Sequence, residues 1–91
     1  MATRQREPEV EPLAVLGIIA KNNRENIRIS IDEYQGHRYV DIRIGVPDDG
    51  GRFVKTNKGA AIPLRRLPAV IDLLTAALAE ARRRHLFDGG V

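Results

Sequence analysis

Five side chains between Tyr34 and Lys58 are of the types that hold unpaired bases and their phosphates. His37, Tyr39, Asp41 and Arg43 recur at every second position, so in an extended strand they share the face opposite Val40 and Ile42, the one turned to water. Residues two apart along a strand stand about 7 Å apart, which sets a ring beside a guanidinium. Single-strand binding needs this pairing: cations meet phosphates, and each base stacked on a ring contributes about 1–3 kcal/mol. Tyr34 precedes Gln35-Gly36, and Lys58 precedes Gly59. Arg28, Arg38, Arg52 and Lys55, with Lys21 and Arg24, add a basic rim that would position a backbone without reading sequence.

Each of these residues also has a plainer role open to it. Tyr34 is either a stacking platform or a ring packed over its own turn. Tyr39 is either a platform or a cross-strand packing partner. Arg43 either contacts phosphate or pairs with Asp41, and an exposed pair is worth ~0–1 kcal/mol. Lys58 is either a phosphate ligand or a solvated turn lysine. Phe53 reads as core, and Arg82–Arg84 as a solvated helix end.

Other chemistries find little support. His37 and His85 are the two histidines, and there is no cysteine. Neither histidine is set among serines or carboxylates in a triad or metal-ligand pattern. Gly50-Gly51 follows two aspartates in a turn and is not a phosphate-cradling loop. The chain is therefore expected to be non-enzymatic, without cofactor or metal. The net charge is +3 and the pI about 9.8, compatible with a polyanionic partner. No run reaches the roughly 20 apolar residues that span a bilayer. Met1–Val10 lacks the apolar core of a secretion signal, so the expected location is cytoplasmic, on the nucleoid if bacterial.

These side chains need a scaffold, and the chain has length for one small domain, 13–88, after an arm at 1–12 that reads as disordered. Residues 13–20, LAVLGIIA, are a short strand or an extended segment lying on the core. Period-two alternation predicts strands at about 27–33 and 37–46, joined by a tight turn. Pro47–Gly51 reads as a second turn. Residues 52–56 read as a third strand, Asn57-Lys58-Gly59 as another turn and 60–62 as a short fourth strand. From about 64 to 85 the apolar period becomes helical, through Leu67, Val70, Ile71, Leu74, Leu78 and Ala81. Leu73, Ala76 and Ala77 widen the apolar face beyond one stripe. A helix apolar on two sides predicts a homodimer, with Leu73, Leu74, Ala77 and Leu78 at the interface.

Ile29-Ser30-Ile31, Glu33-Tyr34-Gln35-Gly36, Val40-Asp41-Ile42-Arg43 and Asn57-Lys58-Gly59, followed by the helix, resemble the transcriptional coactivator family of the positive-cofactor-four type over about residues 24–80. The resemblance implies an α+β fold: a curved antiparallel four-stranded sheet, then one C-terminal helix, paired as a homodimer. It implies a coactivator that binds single-stranded or melted DNA with little regard to sequence, in contact with the transcription machinery. By position it assigns nucleic-acid contacts to Tyr34, His37, Arg43 and Lys58. The chain departs from the family pattern at Gln35, where lysine is frequent, at Asp32, where arginine occurs, and at Val46, where an aromatic is frequent. Two alternatives therefore stay open, RNA binding and a dimeric protein-interaction scaffold with weakened nucleic-acid affinity.

Overall fold

The computed structural model describes residues 11–87; the expected arm at 1–12 lies, apart from its last two residues, outside them. Four strands, β1 (Ala14–Ala20), β2 (Asn26–Tyr34), β3 (His37–Pro47) and β4 (Phe53–Pro63), form one antiparallel sheet in the order β1-β2-β3-β4. A single 3₁₀ turn, Leu64–Arg66, leads into the helix α1 (Leu67–Arg83). Pro68 lies in the first turn of α1, where its missing N–H costs nothing. The helix closes with His85 at φ 58°, as Leu86 N–H bonds the Ala81 carbonyl and His85 N–H that of Arg82.

The β2–β3 hairpin carries the longest uninterrupted register, from Asn26↔Gly45 to Tyr34↔His37. Its two-residue loop places Gln35 and Gly36 at φ 52° and 82°, the mirror-image turn whose twist matches that of paired strands. Asp48 organises the next connection: its Oδ1 accepts from Gly50 N–H (2.9 Å) and Arg52 N–H (2.8 Å). Asn22 does the same between β1 and β2, accepting from the Arg24 and Glu25 N–H groups at 2.9 and 2.8 Å.

The expected sheet and C-terminal helix are present, but the strands are apportioned differently. Residues 13–20 supply a full edge strand rather than an accessory one. The expected third and fourth strands are one, because Asn57-Lys58-Gly59 does not reverse the chain. The register shifts between Arg43 and Gly45, and β4 passes this irregularity with Gly59 at φ 151° opposite Arg43. A Cβ on Gly59 would strike the Ile42 carbonyl oxygen, so glycine here serves close backbone approach.

Burial is unevenly distributed. Val40, 7% exposed, is the one buried apolar side chain among the described residues, and no residue of α1 is buried. The deepest side chains are polar: Ser30, Asp32 and Asp41, at 0, 3 and 4%.

Gly45 is a second position of close approach in the sheet. A Cβ there would collide with the Phe53 ring and stand 2.7 Å from the Val54 carbonyl oxygen. Gly45→Ala is expected to destabilise the fold by about 1–3 kcal/mol, through overpacking against backbone that cannot yield. Urea denaturation beside the parent checks this, and equal midpoints would refute it.

Candidate nucleic-acid interface

The β2–β3 register sorts the hairpin into two faces. Arg28, Ser30, Asp32 and Tyr34 of β2 stand beside Arg43, Asp41, Tyr39 and His37 of β3. Ile27, Ile29, Ile31 and Glu33 share the other face with Ile44, Ile42, Val40 and Arg38. Tyr34, His37, Tyr39 and Arg43 are thus together on the polar face. Arg38 is not with them: it lies across the sheet, with Nε 3.7 Å from Glu33 Oε1. Its parity with Val40 already implied this.

At the hairpin tip Tyr34 and His37 are exposed as a cross-strand pair, Tyr34 to 52%. Tyr39 is half-buried opposite Asp32. Burial first, then the Asp32 and Asp41 carboxylates, raises its hydroxyl above the usual tyrosine range. Asp41 does not face water as its alternation suggested; it lies under Arg43. Arg43 donates from Nε to Asp41 Oδ2 (3.1 Å) and from Nη2 to Asp41 Oδ1 (2.6 Å). That pair is the main cause of the raised Arg43 pKa. Beside it Ser30 Oγ donates to Asp32 Oδ1 at 2.7 Å.

Arg28 and Arg43 are directly opposite, where like charges repel, and they diverge. Arg43 turns to Asp41, while Arg28 lies over the Phe53 ring, 4.7 Å from its centroid. Arg28 Nε is buried without a hydrogen-bond partner. Phe53 is therefore not core but the seat of a cation on the polar face. Lys55 follows two residues later in β4, opposite Gly45. Lys58 is exposed, with Nζ 3.5 Å from Glu25 Oε2 in the β1–β2 loop, and Arg52 stands just before β4 with Nε 4.0 Å from Asp48. Sequence reasoning missed Arg65, which with Ala61, Pro63 and Leu64 lines a shallow depression beside His37 and Tyr39. The signal was absent locally: Arg65 arrives there only because β4 pairs Pro63 with Tyr39.

The polar face thus brings rings and cations together. Among the described residues no group of three or more His, Cys, Asp or Glu side chains could hold a metal ion. No helix among them is long and apolar enough to cross a membrane.

Comparison with known proteins gives a consistent result. The profile of the family described as Transcriptional Coactivator p15 (PC4) matches residues 21–73. Two crystal forms of BPSL1147, a PC4 homologue from Burkholderia pseudomallei, superpose on the chain. The orthorhombic form has a TM-score of 0.67 at 34% identity, covering 80% of this chain and 95% of that one. The tetragonal form has a TM-score of 0.62 at 40% identity, covering 69% and 93%. A direct search of curated proteins gives no match.

Glu25 makes a testable feature of the site's edge. Hydrogen bonds from Asn22 and Lys21, outweighing some desolvation, lower its pKa from 4.5 to about 2. A carboxylate depressed on folding contributes stability above its unfolded pKa and loses it as the pH falls through the folded value. The β1–β2 loop is expected to keep its Lys21–Glu25 pair between pH 4.5 and about 2. Carboxyl NMR titration of Glu25 checks this; an ordinary glutamate midpoint would contradict it.

Proposed function

We propose, because the chain belongs to the family of the transcriptional coactivator p15 (PC4), that it is a non-enzymatic regulator of transcription that binds single-stranded or melted DNA through the polar face of its β2–β3 hairpin. The observation that carries this reading is the gathering of Tyr34, His37, Tyr39 and Arg43 on one face of an unbroken register. The exposed tip ring and half-buried Tyr39 offer stacking platforms, and Arg28, Arg43 and Lys55 meet the phosphates. Lys58 and Arg65 extend the basic edge. None of these contacts reads a base edge, so recognition tolerates sequence.

The working unit in this reading is a homodimer. Ile71, Leu73, Leu74 and Leu78 of α1 are 50, 72, 59 and 41% exposed, more apolar surface than a lone helix leaves to water. Covering each such side chain is worth about 1.5–3 kcal/mol, which a small sheet with one buried apolar residue needs. A second copy also doubles the binding surface.

One observation favours the rival reading of a protein-interaction scaffold: Arg38, Arg43, Arg52 and Lys58 all have carboxylate partners. Fluorescence anisotropy with labelled single-stranded and duplex oligonucleotides over a salt series separates the two. If three phosphates are neutralised per protomer, log K should fall with log salt at a slope of about −2 for single strands. Arg43→Ala should reduce the slope by about 0.7 and affinity by about tenfold. Negligible affinity for both strands at low salt would leave only the scaffold. RNA of the same sequence as competitor tests preference for the 2′-hydroxyl.

Dimerisation has its own check. The parent is expected to sediment as a dimer, and Leu74→Asp with Leu78→Asp to abolish the dimer and lower the melting temperature. A monomeric parent, or a variant that stays dimeric, would count against α1 as the interface.

A further inference from the structure

We infer that Asp41, although it carries the same charge as the proposed ligand, is a positioning residue that strengthens nucleic-acid binding by holding the Arg43 guanidinium in place on the polar face of the hairpin. This rests on the proposed single-strand reading and deepens it at one residue. A carboxylate on a phosphate-binding face should ordinarily repel the ligand and tie up a needed cation. Asp41 is as deep as its neighbour Asp32, but Asp32 is engaged by the Ser30 hydroxyl, whereas Asp41 grips a cation. Its side chain is 5% exposed and that of Arg43 18%. Both carboxylate oxygens engage one edge of the guanidinium, Oδ2 with Nε–H at 3.1 Å and Oδ1 with Nη2–H at 2.6 Å.

An arginine carries five N–H donors. Asp41 takes one from Nε and one from Nη2, leaving the second Nη2–H and both on Nη1. The far side of the plate is fixed as well. A Cβ on Gly59 would lie 2.9 Å from Arg43 Cζ and 3.0 Å from Nη1, so the guanidinium rests on bare backbone that only glycine provides. Held between Asp41 and Gly59, Arg43 keeps three free donors in a set direction. Its side-chain entropy is already spent before the ligand arrives. Glu25 beside Lys58 offers the contrast: the separation is 3.5 Å to a lysine that is 69% exposed, so that pair fixes nothing.

The two accounts of Asp41 predict opposite signs. As a competing charge, its neutralisation should tighten binding a few-fold; as a positioning group, its loss should weaken binding although net charge rises. The experiment is a double-mutant cycle of Asp41→Asn and Arg43→Ala, read by anisotropy with a labelled single-stranded DNA oligonucleotide of mixed sequence. Asp41→Asn should weaken binding about tenfold in the parent, and should not weaken it when Arg43 is alanine. A merely structural role would lower affinity in both backgrounds and is overturning, as is binding that tightens in Asp41→Asn. If the parent itself fails to bind, the single-strand reading falls and this inference with it. Parent binding combined with either overturning outcome removes this inference alone. Should Asp41→Asn not fold, the Arg43 Nε–H resonance of the parent decides. It should stay protected from exchange in the free and bound protein; loss of protection on binding would mean that Arg43 leaves Asp41 to reach its ligand.

Discussion

Nine consecutive residue pairs run from Asn26↔Gly45 to Tyr34↔His37 without a slip, and the rest of the molecule depends on that register. A displacement of one residue would carry Tyr39 and Arg43 to the isoleucine face and bring Val40 and Ile42 to the polar one. The two-residue loop with Gln35 and Gly36 at positive φ fixes the pairing from one end, and Gly45 under the Phe53 ring fixes it from the other. Between these pins the face needs no loop to arrange it: side chains from two strands, and Phe53 from a third, meet by pairing alone.

The energetics are inverted relative to an ordinary small domain. The most enclosed side chains are Ser30, Asp32 and Asp41, and each is satisfied by its neighbour, Ser30 by Asp32 and Asp41 by Arg43. Buried polar groups so paired specify geometry more than they add stability. The apolar investment lies elsewhere, in β1 and α1, where Val15, Leu16, Ile19 and Leu73 are all more than half exposed. A polar floor that is closed and an apolar side that is open make sense together if the first shapes a binding surface and the second awaits cover.

The hairpin was legible in the sequence because alternation over both strands coincided with turn chemistry at Gln35-Gly36, and the Asp48 loop was legible for the same reason. The continuity of β4 was not. Asn57-Lys58-Gly59 has the composition of a turn, and only the partner strand, with the Ile42 carbonyl pressed against Gly59, shows why the chain runs straight on. Alternation also tells face but not depth: it set Asp41 beside Arg43 without revealing that one would be sealed beneath the other. Phe53 was misjudged in the same way, since its partner Arg28 is 25 positions away and meets it only across the sheet. Arg38 is a different case, because its parity was on view and charge alone had grouped it with the rim.

Strand β1 bears on what the sheet does at its open side. As an edge strand it presents unpaired backbone groups to any passing chain, and its apolar side chains would reward a neighbour that docked there. Yet its pairing with β2 is broken between Val15 and Gly17, which throws Leu16 out of the alternation. A kinked edge is a poor template, because an incoming strand would find donors and acceptors out of step halfway along. The irregularity at Leu16 thus disfavours growth of the sheet across this greasy border.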